Sequence, residues 1–469
     1  MTLRRIGLAL GICGVVALAL TPHAWASAGG LKSASGPGTR LWVELYPHPS
    51  PAAQTDNAAN AVAVSPDGSR VFVTGRVGTP SHAAEFGTVA YDAPTGHQDW
   101  VNLSDAGVEA VSLAVSPTGA TLYATGTNAT IAYNATTGTR RWSTAFAPTK
   151  FGGAASVTVS PDGKTVFVTG DSQAPTGRRY RTAAYAAATG KQLWVRTYTV
   201  PGVSGIDVAN DLKVTLDGST LIVTGTVQYN AVGQTAFGTV AYNAATGAQR
   251  WVQLFKAPRS GADEGGLALS PDGKTAFVTG WGGGTASHPV VYETVAYATA
   301  TGTQVWASSY AHGAASEAHS VAVSPDGTTV FVTGASDNVF EGSAFATVAY
   351  RASSGAQLWA SRYRGKLPGF DSARQLAVSP DGTRLIVTGS SNVTPGAPQP
   401  ADYTTVAYAT RDGTRLWARR YAGFNMGTTV RAVAVSPDGS TVFVTGSAVY
   451  KTPPGGDGLN AFATVAYRF

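Results

Sequence analysis

The chain has 469 residues, a single cysteine, a formal net charge of +6 and only 13% charged residues, with 56 glycines and 25 prolines marking frequent turns. This composition excludes a disulfide scaffold and a charge-driven disordered chain, and it suits an all-β protein rich in tight turns. No basic run or aromatic-interleaved basic patch accompanies the mild positive excess, so nucleic-acid binding is not expected.

The first segment reads as an export signal. Arg4 and Arg5 precede an apolar run from Ile6 to Leu20, followed by a small-x-small site at Ala24-Trp25-Ala26 or Ala26-Ser27-Ala28. The run is about 15 residues, short of the ~20 that span a bilayer. Cys13 follows the bulky Ile12, where a lipoprotein signal needs a small residue, and it leaves with the leader. The expectation is a cleaved signal peptide over residues 1–28 and a secreted or extracytoplasmic product, residues 29–469, with no membrane span.

Next comes Gly38-Thr39-Arg40-Leu41-Trp42. The same Gly-x-x-x-Trp unit recurs at Gly96–Trp100, Gly138–Trp142, Gly190–Trp194, Gly247–Trp251, Gly302–Trp306, Gly355–Trp359 and Gly413–Trp417. Each later copy follows a Val-Ala-Tyr-like strand; the first has none before it. The last such strand, Thr464-Val465-Ala466-Tyr467, has no Gly-x-x-x-Trp after it. The end of the final repeat therefore stands at the beginning of the chain, the arrangement that closes a ring.

Between these markers run units of roughly 50 residues, a period suited to four strands each. A first strand such as Ala61–Val64 ends in the turn Ser65-Pro66-Asp67-Gly68, where Pro presets φ, Asp bonds locally and Gly accepts positive φ. The turn recurs at Ser116–Gly119, Ser160–Gly163, Ser270–Gly273, Ser324–Gly327, Ser379–Gly382 and Ser436–Gly439, and in altered form at Thr215–Gly218. The second strand, Val71-Phe72-Val73-Thr74-Gly75, is apolar on both faces, as a strand covered on each side should be. Thr88–Tyr91 forms the third and the Trp100 segment the fourth. The predicted architecture is an eight-bladed β-propeller of four-stranded antiparallel blades, closed by the N-terminal strand around Trp42.

Ala90-x-Asp92-x-x-Thr95-Gly96-x-x-x-Trp100 resembles the tryptophan-docking motif of the PQQ-like propeller repeats of quinoprotein alcohol dehydrogenases, and Ala184–Trp194 is an equally good copy. The Ser-Pro-Asp-Gly turn followed by Val-Phe-Val-Thr-Gly also resembles YVTN-type and WD40-like repeats. The resemblance spans essentially all of residues 29–469. As a dehydrogenase it implies PQQ with calcium held by Glu, Asn and Asp, a further Asp as general base and an Arg near the quinone oxygens. No residue matches a catalytic motif of that family, and its vicinal cysteine pair has no counterpart here.

In such blades the first-to-second and third-to-fourth turns share one face of the disc, while the second-to-third loops and blade connections share the other. The first set is short and uniform; the second runs from Thr127-Asn128-Ala129 to long stretches over Ser390–Tyr403 and Ser447–Ala461. A single recognition face gives this pattern, and so does drift in unconstrained loops. The candidate channel-mouth residues lie at the approaches to the first strands: Asn60, Glu109, Asp207, Asp211, Asp263, Glu264, Glu317, His319, Asp371, Arg374 and Arg431. They read either as a binding rim or as solvated charges paired with one another. Trp281, in Gly280-Trp281-Gly282-Gly283-Gly284, reads as a loop residue outside the repeat pattern and a candidate ligand contact.

No paired histidines at metal spacing and no nucleophile elbow occur. The expected function is that of an exported, non-catalytic binding or scaffold propeller, monomeric and without metal or cofactor. Its partner is expected to be an extracellular protein, a glycan or a cell-envelope component. The alternative is a PQQ- and calcium-dependent dehydrogenase of alcohols or sugars.

Overall fold

The computed structural model describes residues 36–46, 57–78, 84–105, 109–146, 152–175, 177–257, 262–284, 289–338, 342–365, 369–392, 401–422, 428–451 and 459–469. The expected signal peptide lies outside the described residues. Residues 36–469 form one compact unit of eight four-stranded antiparallel sheets, the eight-bladed propeller expected from the repeats. In blade 1 the strands are Ala58–Val64, Arg70–Gly78, Ala84–Asp92 and Gln98–Ser104, in that order from the channel outwards. The innermost strands of blades 2 to 8 are Ala110–Val115, Ala154–Val159, Val208–Val214, Ala262–Leu269, Ala315–Val323, Ser372–Val378 and Thr428–Val435. Each touches the innermost strand of the next blade, and blade 8 touches blade 1.

The turns form as their residues require. In the first, the N–H of Gly68 donates to the Ser65 carbonyl (2.8 Å), and Asp67 accepts from the Ser65 hydroxyl (2.5 Å) and the Ser69 N–H (3.0 Å). Gly68 holds φ at 74°, a conformation glycine adopts without a Cβ penalty. Thr215–Gly218 keeps the same bonds without a proline, and Leu216 stands 68% exposed in its place.

Second strands are buried on both faces, because hydrophobic clusters fill the space between every pair of neighbouring blades. One cluster joins Phe443, Phe462 and Ala466 of blade 8 to Val71, Val73, Val89 and Tyr91 of blade 1. The core is thus a set of layers between blades. Each layer meets a buried polar pair, one per blade, where a threonine of the second strand faces one of the third. Thr74–Thr88 (3.0 Å), Thr169–Thr182 (2.9 Å), Thr333–Thr347 (3.0 Å) and Thr445–Thr464 (3.1 Å) are examples. Thr74 also donates to the Gly87 carbonyl (2.7 Å), so both hydroxyls are satisfied away from water.

The strand Arg40–Tyr46 completes blade 8 by pairing antiparallel with Leu459–Arg468, aligning Trp42 with Ala466 and Tyr46 with Phe462. Blade-to-blade docking follows one rule. The indole of Trp42 lies over Gly96 of blade 1, where a Cβ would come within 2.7 Å of it, and its N–H donates to the Ala93 carbonyl (2.9 Å). Trp194 repeats this on Gly247 and Ala244, and Trp251 on Gly302 and Thr299. These tryptophans are structural docks, which accounts for the fixed spacing of Gly-x-x-x-Trp.

The long second-to-third connections are shorter than the sequence suggests. In blade 8 the ladder extends to Lys451 opposite Leu459, and in blade 7 to Asn392 opposite Ala401. In blade 2 the connection is the two-residue turn Thr127-Asn128, with Asn128 at a φ of 71°.

Candidate functional site

Every innermost strand carries a one-residue β-bulge at the same place, near the variable-loop face. In blade 1 Ala59 opposes Gly75 and Ala61 opposes Thr74, leaving Asn60 as the extra residue. The Ala58 carbonyl presses onto Gly75 so closely that a Cβ there would lie 2.0 Å from the oxygen. The glycine of each Val-Thr-Gly therefore exists to admit the bulge. In the other blades the extra residues are Val111, Ala155, Asn210, Gly265, His319, Arg374 and Arg431. Three residues selected as candidates from sequence are thus bulge residues of consecutive blades 6, 7 and 8, and Asn60 is that of blade 1.

Bulge residues and their successors tie neighbouring blades together around the channel. Asn60 donates to Glu109 Oε1 and to the Ala110 carbonyl, both at 2.8 Å. His319 Nδ1 lies 2.8 Å from the Ala373 carbonyl, the corresponding atom of blade 7. Asp211 follows a bulge; it accepts from Ser156 of blade 3 (2.9 Å), from Lys213 (2.7 Å) and from the Leu267 N–H of blade 5 (3.3 Å). Gln375 makes the equivalent bond to the Val433 N–H (2.6 Å). Asn60, Glu109 and Asp211 therefore serve as blade-to-blade links.

Asp207 and Asp371 are placed differently from the expected rim. Both are buried, two residues before the bulge-flanking alanine, and both brace the connection between blades. Asp207 accepts from Thr199 (2.6 Å) and the Gln228 N–H (3.0 Å). Asp371 accepts from Ser391 (2.5 Å), the Gly365 N–H (2.6 Å) and the Asn392 N–H (3.3 Å), and burial raises its carboxyl above the usual range. Asn57 occupies the same place in blade 1, accepting from the Gly78 N–H. As buried braces, the two aspartates do not converge on the channel.

Glu317, His319, Arg374 and Arg431 do come together. Glu317 lies 3.8 Å from His319, and that ring, with Arg374 beyond it, holds the Glu317 carboxyl below its ordinary value. Arg374 is pulled below its own ordinary value by burial along the channel wall and by the Arg431 charge beside it. Asp263 and Glu264 lie in the innermost strand of blade 5, opposite Trp281 and Gly280; their side chains are outside the described residues. Trp281 is not in a loop. It belongs to the strand Thr275–Gly282, half-buried, paired with Asp263 and Tyr292 at a regular repeat position. Its flanking glycines suggest a loop, but Gly280 is a strand residue paired with Glu264 at the edge of the bulge.

Sequence reasoning missed three exposed apolar side chains on the variable-loop face: Ile206 (60% exposed), Val232 (81%) and Phe370 (59%). Ile206 and Phe370 each immediately precede a buried brace, Asp207 or Asp371. The backbone is fixed further by the Arg178 N–H bonding to the Gly205 carbonyl (3.0 Å) and the Ser343 N–H bonding to the Gly369 carbonyl (3.0 Å). The opposite face carries shallow clefts between successive Ser-Pro-Asp-Gly turns, as between Asp272 and Asp326.

A quinone–calcium centre needs several oxygen ligands on one cation. Among the described residues no three His, Cys, Asp or Glu side chains come close enough to hold a metal. Of the channel carboxylates that are described, Glu109 accepts from Asn60 and Asp211 from Lys213, while Glu317 lies 3.8 Å from His319. The described side chains do not fit such a centre. No described helix is long and apolar enough to cross a membrane.

No match is found among curated proteins. Among solved structures, BamB from Moraxella catarrhalis is 15% identical, covering 92% of this chain and 100% of its own, with a TM-score of 0.51. Sqt1 from Chaetomium thermophilum is 12% identical over 92% of this chain and 98% of its own (TM-score 0.61), and another structure holds Sqt1 bound to the N-terminus of ribosomal protein L10. The quinohemoprotein alcohol dehydrogenase from Comamonas testosteroni is 12% identical over 92% of this chain and 76% of its own (TM-score 0.55). At these identities the likeness shows the propeller fold. A family model described as outer membrane protein assembly factor BamB matches residues 85–270 and 292–458, and the chain belongs to that family of PQQ-like β-propellers.

Proposed function

We propose that this chain is an exported, non-catalytic binding and scaffold propeller that engages a protein of the cell envelope or exterior through its variable-loop face. The observation that carries this reading is the rigid presentation of Ile206 and Phe370, apolar side chains held out over buried, hydrogen-bonded aspartates. A protein partner gains by covering such side chains, and a pre-ordered backbone loses little entropy on binding. The description of the family as an outer membrane assembly factor supports a place in the envelope, as do Arg4, Arg5 and the apolar run after them.

The test compares the wild-type protein with Ile206→Asp, Val232→Asp and Phe370→Asp combined, and with Leu216→Asp on the opposite face as control. Cross-linking to envelope material should give a reproducible partner with the wild type and the control, and lose it in the triple variant. A triple variant that keeps every partner removes the loop face from the reading. Export is checked by the intact mass of the released protein, which should lack residues 1–26 or 1–28. The dehydrogenase alternative predicts that PQQ with calcium raises the melting temperature, since a ligand at a hundredfold excess over Kd stabilises by about 2.7 kcal/mol.

A further inference from the structure

At the level of the bulges, polar side chains are in general used up by the neighbouring blade, as Asn60 and His319 are. Arg374 and Arg431 depart from this. They occupy the same bulge position on adjacent blades, both are exposed to the channel, and neither guanidinium has a hydrogen-bond or ion-pair partner among the described residues. Among the described residues the carboxylate that acts on Arg374 is Glu317, which lies 3.8 Å from His319 and makes no ion pair with either arginine. Two like charges set side by side against a wall that partly desolvates them repel each other. Glu317 offsets this at Arg374, but it is one carboxylate for two guanidinium groups, so a further counter-charge from outside would relieve them. Burial first and the Arg431 charge second lower the proton affinity of Arg374, and Glu317 opposes them.

We propose that Arg374 and Arg431 form a binding site for a phosphoryl oxyanion just inside the loop-face mouth of the channel. Guanidinium forks match phosphate oxygens in pairs, and two forks offer a dianion more donors than it can find on either alone. A tetrahedral group can take them from two blades at once, because its oxygens point in different directions. His319 stays turned to the Ala373 carbonyl and closes the blade 6 side of the site. The shared chemistry is the phosphoryl group, carried either by free phosphate or by a larger molecule such as a phosphorylated glycerol headgroup. The site is independent of the protein-binding face, which uses Ile206, Val232 and Phe370.

The experiment is calorimetry and thermal melting of the full chain with inorganic phosphate and with glycerol phosphate, against chloride at equal ionic strength. The wild type should bind and melt higher in phosphate. Arg374→Gln and Arg431→Gln should each weaken binding by about tenfold, and the double variant should lose it. Tighter binding of glycerol phosphate would identify a headgroup as the source; equal binding would identify free phosphate. Without anion the double variant should melt at or above the wild type, because the repulsion is gone. No binding by the wild type at millimolar phosphate, equal binding by the double variant, or a double variant that melts well below wild type without anion would each overturn the proposal. The triple variant at Ile206, Val232 and Phe370 should bind phosphate normally, so failure of one reading is distinguishable from failure of the other.

Discussion

Trp417 lies over Gly38, so closely that a Cβ on the glycine would stand 2.9 Å from the indole Cδ2. Gly38 holds a φ of 75°, and its carbonyl accepts from Arg419 Nε (2.8 Å). The contact joins blade 7 to the N-terminal strand of blade 8 and is the docking rule of the other seven blades carried across the seam of the chain. One bond differs there. The indole N–H of Trp417 has no partner among the described residues, whereas its seven counterparts each donate to a carbonyl.

Removing residues 36–46 should destabilise the whole ring. The deletion strips the edge of Leu459–Arg468 and takes away Trp42, which packs on Tyr91 and Phe443. Loss of one buried indole costs about 3–5 kcal/mol. Calorimetry should show a single transition at lower temperature; an unchanged melting temperature would mean the strand is a dispensable tail.

The seam makes a quantitative comparison possible. Trp194→Phe removes both packing and the 2.9 Å bond to Ala244, whereas Trp417→Phe removes packing alone. The first should cost about 1 kcal/mol more than the second, the net worth of one hydrogen bond. Urea unfolding of the two variants measures the difference, and equal losses would show that the indole bond contributes nothing.

The threonine pairs should behave as coupled units. Thr88→Val leaves the buried Thr74 hydroxyl bonded only to Gly87, and Thr74→Val strips Thr88 of its 3.0 Å partner. Each single change should cost about 1–2 kcal/mol, and the double change less than their sum, because no orphaned hydroxyl is then left. Strict additivity in a double-mutant cycle would refute the pairing.

Acid should loosen the turns. Asp67 is lowered to about 2 by its bonds from Ser65 and Ser69, and Asp162, Asp217, Asp272, Asp326, Asp381 and Asp438 shift the same way. A carboxyl lowered on folding contributes stability above its unfolded value, about 3.8–3.9, and loses it as pH falls through the folded one. The melting temperature should therefore drop between about pH 4 and pH 2. Asp371, raised by burial, works in the opposite direction over a higher range. Replacing Asp67, Asp162 and Asp438 by Asn should flatten the acid limb, and each turn adds little because solvent screens it.

The bulge glycine offers a sharper test of the channel geometry. Gly225→Ala places a Cβ 2.1 Å from the Val208 carbonyl, a backbone atom that cannot rotate away. It should cost several kcal/mol, far beyond the ~1 kcal/mol swing of strand propensity. Gly36, with nothing within 4 Å, is the control site.

Much of the ring was legible in the chain because each of its parts is local and repeated. Gly-x-x-x-Trp announces docking, Ser-Pro-Asp-Gly announces a turn, and the misplaced Trp42 announces closure. The site was less legible. Asp207 and Asp371 read as rim carboxylates, since burial does not show in a sequence, and the glycines around Trp281 read as a loop. Ile206, Val232 and Phe370 carried no signal, because an isolated apolar residue in a connection looks like any core residue.

The sequence by itself determined the number of blades, the strands within each and the closure of blade 8, because those follow from periodicity and turn chemistry along the chain. Only the tertiary structure decided which polar residues meet across blades. Asn60 joins Glu109, Glu317 joins His319, and Arg374 comes beside Arg431. Those meetings depend on a one-residue bulge repeated in every innermost strand. The glycine of Val-Thr-Gly marks where the bulge falls, but which side chains of neighbouring blades then meet depends on how the blades pack, which no single strand's sequence records.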